Sequence, residues 1–185
     1  MDFRVKRIKW LRPIAKTCRT DTGCDSILME KAEGGSHGSA VTVEEVRPEV
    51  RLLPAPTAAS EAFWTGGRDG RLLIYRCRSC ERWFHPGSAA CFRCRSTDVS
   101  PEPVSGRGRV AAFTVNRQPW IPGFPPPYVV AMIELAEEPD VRVVSNVVGV
   151  APEAVSVGLE VEVFFEQWDD IWLPLFRPAA GVSDE

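Results

Sequence analysis

Hydrophobic residues recur in five short runs over the C-terminal half of the chain, separated by turn-forming residues. The runs cover residues 109–117, 128–135, 141–150, 159–168 and 171–177. In the fourth run, apolar residues alternate with glutamates from Glu160 to Glu166, which is the period of a strand with one buried face. Asp169-Asp170 stands between the last two runs and predicts a hairpin turn. The pattern therefore predicts five β-strands.

Five short strands fit a small closed barrel of the OB type, with one turn of helix at 152–155 between the third and fourth strands. Closing the sheet also removes the exposed strand edges that favour aggregation. A small β-sandwich is the alternative. We predict that the barrel spans residues 106–179 and that 180–185 form a tail.

A short helix is predicted over residues 57–64, because helix-forming residues end there in Phe63-Trp64 and glycines follow. The two aromatic rings either pack locally or contact a partner. Residues 72–75 then read as a strand. We therefore predict a mainly β protein in which residues 57–105 form a short helix and a rubredoxin-like ribbon.

Two Cys-x-x-Cys pairs follow this strand, ten residues apart. Each pair can direct two sulfurs at one centre, and four thiolates suit a structural Zn²⁺ with Zn–S distances of about 2.3 Å. Two disulfides, or an iron site of the rubredoxin kind, are the alternatives. His85 lies between the pairs, but four cysteines already complete the coordination, so we expect no catalytic position. The ligands are Cys77, Cys80, Cys91 and Cys94.

Residues 1–56 read as a disordered tail and linker, rich in glycine and proline over 33–60. The first 28 residues show no sustained helical or strand periodicity. They are a disordered tail, an over-long gene start with Met29 as the natural initiator, or a basic arm that binds a partner. We expect Cys18 and Cys24 to be free thiols and His37 to be solvated.

Composition narrows the classes of function. The chain has 185 residues and is 44% hydrophobic, with no apolar run near the ~18 residues of a membrane span. It lacks the apolar core of a signal peptide, so we expect a cytoplasmic protein with reduced thiols. Residues 68–109 hold nine arginines and four acids, whereas residues 110–185 hold three arginines and twelve acids. An acidic barrel disfavours nucleic acid as a partner.

The order of these motifs resembles a known family. It resembles that of the zinc-ribbon/OB-fold accessory proteins of thiolase-like enzymes, long catalogued as a bacterial and archaeal domain of unknown function. The matching stretches are, in order, Phe63-Trp64, the four cysteines, Ser105-Gly106-Arg107-Gly108, Tyr128 to Ala131 and Leu173 to Pro178. The resemblance covers about residues 57–179. It implies a non-catalytic subunit of a thiolase-fold partner, such as a lipid-transfer-type aldolase that cleaves steroid side-chain CoA thioesters.

The resemblance implies a partner surface and a CoA-bearing substrate, and the residue types suggest candidate contacts for each. Exposed aromatics are favoured at protein interfaces, and the proline-rich loop 118–127 carries two of them; they contact a partner or simply cover the barrel end. The candidate partner contacts are Phe63, Trp64, Trp120 and Phe124. Arginine forks suit the phosphates of CoA, although a solvated basic face is the plainer interpretation. The candidate phosphate contacts are Arg76, Arg78, Arg82, Arg93 and Arg95.

No catalytic residue is predicted, because neither histidine lies in a nucleophile–base motif. We weigh two alternatives to the accessory subunit. One is a single-stranded nucleic-acid-binding protein, since ribbons and OB barrels can both serve there. The other is a stand-alone protein that binds or hydrolyses acyl-CoA.

Overall fold

Strands are the main regular elements of the computed structural model, which describes residues 3–7 and 50–180. Cys18, Cys24, His37 and the predicted C-terminal tail beyond residue 180 lie outside the described residues. The strands are β1 (Phe3–Arg7), β2 (Val50–Pro54), β3 (Leu72–Cys77), β4 (Trp83–Phe84), β5 (Val99–Val104), β6 (Arg107–Asn116), β7 (Tyr128–Leu135), β8 (Arg142–Val147), β9 (Glu160–Trp168) and β10 (Ile171–Pro178). The α-helix α1 is Glu61–Thr65, followed by a 3-10 turn at Gly66–Asp69; a second 3-10 turn is Pro152–Ala154.

Strands β6 to β10 close into a barrel in the order β10-β8-β7-β6-β9. The first barrel strand, β6, pairs antiparallel with both β7 and β9. The third and fifth barrel strands, β8 and β10, meet in parallel through Phe176 and Val147. This connectivity is that of an OB barrel, so the predicted fold class is confirmed and the sandwich alternative is wrong.

The barrel core forms because inward positions of the strands are apolar. Along β7 every second residue is buried, from Val129 to Leu135, the alternation expected when one face of a strand meets the core. The core also takes in residues from outside the barrel. Its fourteen members among the described residues are Phe63, Leu72, Ile74, Val110, Val129, Ala131, Ile133, Leu135, Val141, Val143, Val147, Val155, Val161 and Phe176.

The ribbon is a three-stranded sheet in the order β4-β3-β5, and a tight turn joins it to the barrel. Gly106 makes this turn with φ +73, and a Cβ at that position would collide with Val163 Cγ1. Only glycine adopts this conformation without strain and fits the contact. The turn fixes how β5 leads into β6.

Helix α1 is shorter than predicted and begins four residues later. Residues 57–60 form a hydrogen-bonded turn instead, in which the Thr57 N–H donates to Ser60 Oγ at 2.9 Å. Serine and threonine side chains stabilise such turns in competition with helix. Next to α1, Gly67 lies so close to Trp172 and Phe165 that a Cβ would collide with both. No helix among the described residues is long and apolar enough to cross a membrane.

Strand β2 lies inside the segment that the sequence predicts as linker. It pairs antiparallel with β1 from Phe3–Pro54 to Arg7–Val50, and Val50 and Leu53 are buried. The alternation is hidden in the sequence because Arg51 is also buried and prolines flank the strand. The linker interpretation is therefore wrong for residues 50–54.

Candidate metal centre and interaction surfaces

The four cysteines of the two Cys-x-x-Cys pairs come together at the end of the ribbon. Their Sγ atoms all lie within 4.8 Å of one another. Cys77 and Cys94 sulfurs are 3.5 Å apart, and those of Cys80 and Cys91 are 3.7 Å apart. A sulfur tetrahedron with Zn–S bonds of about 2.3 Å has edges of about 3.8 Å. The thiols are free, so the disulfide alternative is wrong and the set fits Zn²⁺.

The two knuckles, residues 77–82 and 91–96, have the same backbone design. The N–H of Cys77 donates to the Arg82 carbonyl at 2.9 Å, and that of Cys91 donates to the Ser96 carbonyl at 2.8 Å. The residue after the second cysteine takes positive φ in each, +57 at Glu81 and +64 at Arg95. Positive φ is uncommon for a residue with a Cβ. This conformation bends the backbone of each knuckle around its two sulfurs.

Backbone amides favour the thiolate form at one of the four sulfurs, that of Cys91. The N–H groups of Cys94 and Arg93 donate toward Cys91 and lower the pKa of its thiol to about 6, against the opposing effect of burial. Hydrogen bonds of this kind stabilise the thiolate, which is the form that binds metal. Zinc, when bound, clamps the two knuckles together as a structural ion, since four protein thiolates leave no open position.

His85 is not a fifth ligand in this arrangement. Its ring packs against Phe63 with the ring centroids 4.5 Å apart, and burial lowers its pKa below the usual value. A neutral imidazole in van der Waals contact with the core serves packing. In the described residues it makes no hydrogen bond to a serine, a cysteine or a carboxylate.

Three of the five candidate arginines of the ribbon form ion pairs with carboxylates of this chain. Arg76 and Arg78 lie 3.5 and 3.8 Å from Glu102, and Arg82 lies 3.0 Å from Asp140. Arg93 and Arg95 are exposed and have no ion-pair partner within the described part of the chain. As contacts to CoA phosphates all five remain predictions.

The four candidate partner contacts differ sharply in exposure. Phe63 is 6% exposed and belongs to the core, with Trp64 edge-on against it at 4.7 Å. Trp120 is 73% exposed, although its indole N–H donates to Asn116 Oδ1 at 2.8 Å. Phe124 packs edge-on against Tyr128 at 4.5 Å. Local packing thus accounts for Phe63, whereas Trp120 is held outward in a fixed pose; as partner contacts they remain predictions.

An open cavity of about 330 Å³ lies on the face of the barrel formed by β7, β8 and β10. Its lining is mainly apolar and includes Phe63, Trp64, Phe124, Tyr128 and Leu173. This is the face that OB folds use for ligands, between the second and third strands and the first loop. Aromatic and aliphatic walls suit an apolar occupant.

Arg51, from β2, closes one wall of this cavity and was missed by sequence reasoning. Its guanidinium donates to Asn146 Oδ1 at 2.8 Å and to Glu166 Oε2 at 3.2 Å, and it lies 4.8 Å from the Phe124 ring centre. Burial lowers its pKa, with Glu166 opposing that shift. The Trp168 indole also donates to Glu166, at 2.7 Å. No local signal predicts this, because the partners lie 95 and 115 residues away.

Comparison with known proteins agrees with both halves of this description. A family model described as the rubredoxin-like zinc ribbon domain of ChsH2 matches residues 64–100. The model of the ChsH2 C-terminal OB-fold domain matches residues 101–166. The solved structure of the Ltp2-ChsH2(DUF35) aldolase contains a similar chain. The match has 34% identity and a TM-score of 0.64, and it covers 100% of that chain and 69% of the present one.

The chain belongs to the ChsH2 (DUF35) family. It is 37% identical over 143 residues to a probable enoyl-CoA hydratase alpha subunit of Thermomonospora curvata, covering 76% of the chain and 44% of that protein. It is 28% identical to the 3-oxo-4,17-pregnadiene-20-carboxyl-CoA hydratase alpha subunit of Mycobacterium tuberculosis, covering 73% and 42%. The chain thus spans less than half the length of these two relatives.

A smaller relative is matched over more of its own length. The DUF35 domain-containing scaffold protein of Methanocaldococcus jannaschii is 33% identical over 98 residues, which is 52% of the present chain and 68% of that protein. The match to a zinc ribbon family supports zinc, rather than iron, as the metal of the four-cysteine site. The protein is a zinc-binding member of the family.

Proposed function

We propose that this chain is a non-catalytic accessory subunit that binds a thiolase-fold protein acting on acyl-CoA thioesters. The partner supplies the reacting groups, and the zinc ribbon and barrel supply a rigid surface. The single observation that carries the proposal is the full-length match to the ChsH2(DUF35) chain of a solved Ltp2-ChsH2 aldolase. Cytoplasmic location fits, because zinc thiolates need a reducing compartment.

The relatives' names guide the choice of substrate. Two of them are subunits of CoA-thioester hydratases, and one of those substrates is a pregnadiene carboxyl-CoA. A steroid side-chain thioester is therefore the first acyl group to test. Trp64 and Phe124, which line the apolar cavity, and the exposed Trp120 are the proposed contacts for the partner. The ribbon arginines remain proposed contacts for the CoA phosphates.

The surface chemistry favours this function over single-stranded nucleic-acid binding. A nucleic-acid surface combines stacking aromatics with free cations along the backbone path. On the OB face the guanidinium of Arg51 is neutralised by Glu166 at 3.2 Å. Its charge is therefore unavailable to a phosphate.

Co-purification tests the proposal directly. The full chain, tagged and expressed in its own cells, is expected to recover a thiolase-fold protein in stoichiometric amount. The pair should then cleave or condense acyl-CoA substrates, and the chain alone should not. Recovery of the chain without any protein, or with nucleic acid, would refute the proposal. Thioester hydrolysis by the chain alone would favour the stand-alone alternative.

A further inference from the structure

One exposed surface of the ribbon is left without a structural role. It consists of Phe92, Arg93 and Arg95, here named the knuckle tip, on the second Cys-x-x-Cys turn. Phe92 is 64% exposed, and the three residues that follow it are exposed as well. A single exposed ring is ordinary at a protein surface, but this ring shares its turn with two exposed arginines.

The Phe92 ring is fixed in place. It packs edge-on against Phe84, with the ring centres 5.9 Å apart, and the Arg82 guanidinium lies 5.7 Å from its centre. Arg82 is itself tied to Asp140 at 3.0 Å. A ring held on one side and open on the other loses little conformational entropy when a partner covers it.

The two arginines of the knuckle tip carry charge that no carboxylate of the described residues balances. Their neighbours in the ribbon, Arg76, Arg78 and Arg82, each face a carboxylate of this chain. Arg93 and Arg95 face none among the described residues. Arg95 also keeps its side chain at φ +64, where glycine would be relaxed.

The backbone beneath the knuckle tip is rigid. The Arg95 N–H donates to the Cys91 carbonyl at 2.9 Å, and the hydroxyls of Ser79 and Ser96 lie 2.7 Å apart, joining the two knuckles. Bound zinc clamps the same turn. The ring and the backbone that carries the two arginines are therefore held in a fixed geometry.

We infer that the knuckle tip inserts into a recess of a protein partner that is lined by carboxylates. Charge complementarity selects the acidic lining, because the ring is followed in the same turn by two arginines that have no ion pair among the described residues. A protein is favoured over a nucleic acid, because residues 110–185 hold twelve acids against three arginines and disfavour a phosphate backbone as a partner. The inference rests on the proposed function only in requiring a protein partner.

Site-specific photo-cross-linking in the native cells tests this inference. Phe92 is replaced by p-benzoylphenylalanine in the full chain, which is then irradiated. We expect an adduct with one protein, at a peptide that contains aspartate or glutamate. Reversing both charges, R93E with R95E, should reduce the adduct at least tenfold. The matched control R71E with R107E, at two exposed arginines outside the knuckles, should leave it unchanged.

The affinity of the captured protein for the purified zinc-loaded chain gives the size of the effect. Phe92→Ala should weaken binding by about 30-fold, the level of an interface hot spot. Phe92→Leu, which keeps the apolar contact with Phe84, should lose less. Added salt should weaken binding of the wild-type chain and have little effect on R93E/R95E. Equal zinc content in all variants shows that the knuckle is folded.

The outcomes separate this inference from the proposed function. An adduct with a protein that is not thiolase-like would support the inference, and the absence of any co-purifying thiolase-fold protein would refute the proposed function. A thiolase-fold partner that co-purifies while position 92 gives no adduct would do the reverse. An adduct with nucleic acid, or one unaffected by charge reversal, would overturn the inference.

Discussion

The barrel and the knuckles are stabilised by different means. Fourteen of the described residues form the barrel core, whereas the cluster beneath the knuckles has three buried members, Cys77, Phe84 and Cys91. Hydrophobic burial scales with apolar area, so the barrel can fold by burial alone. The knuckle cluster is too small for that, and the metal must supply the difference.

The division between these two regions lies inside strand β3. Leu72 and Ile74 are 1% exposed in the barrel core, while Cys77, three residues later, belongs to the knuckle cluster. The base of the ribbon is thus energetically part of the barrel. The boundary between ribbon and barrel in the order of the strands therefore differs from the boundary between the two packed clusters.

Removing the metal should break the comparison most strongly. Structural zinc contributes roughly 10–16 kcal/mol of binding free energy in small zinc domains. We expect zinc chelation or Cys77→Ser to unfold the knuckles and leave the barrel with Leu72 and Ile74 in place. Amide hydrogen exchange together with zinc content measures this. Simultaneous loss of protection in both regions would contradict the division.

A cavity in the barrel core should give the next largest effect. Phe176 is 0% exposed, and a buried Phe→Ala change costs about 3–5 kcal/mol. We expect Phe176→Ala to lower the free energy of unfolding in urea by that amount, while the folded variant still binds zinc. The matched control is Phe113→Ala, since Phe113 is 37% exposed. A comparable loss in the control would show that position in the core does not decide stability.

Breaking the ion pair behind the cavity should have the smallest of the three effects. The side chains of Arg51 and Glu166 are 10% and 17% exposed, so Glu166→Gln leaves a largely buried guanidinium without its counter-charge. We expect a cost of about 1–3 kcal/mol, with a change in Trp168 fluorescence. The double variant Arg51→Met with Glu166→Leu should recover most of the loss. No recovery would mean that the polar network itself is required.

Local patterns in the sequence predict most of the fold and the metal site. Hydrophobic runs between turn residues located the five barrel strands, and the Cys-x-x-Cys spacing located the ligands, because both signals lie within a few residues. Strand β2 escaped because its partner β1 lies some 40 residues earlier. Arg51 escaped because its burial depends on Asn146 and Glu166, which only the folded barrel brings near.

The exposure of aromatic side chains was the least predictable property. Phe63 and Trp64 stand in the same short helix, and the sequence could not distinguish packing from binding. The folded chain puts Phe63 into a core to which β7, β8 and β10 contribute. Trp120 is held outward by Asn116, a contact that depends on the conformation of the proline-rich loop.

The joins that complete the barrel bear on how fast the chain folds. Strand β6 meets β9 only from Arg107–Glu162 to Arg109–Glu160, and β8 meets β10 at the single pair Val147–Phe176. Each join links distant parts of the chain, and loop-closure entropy is lost before either contact is gained. The hairpins β6–β7 and β9–β10 can form locally, so completion of the ring should be the slow step of folding.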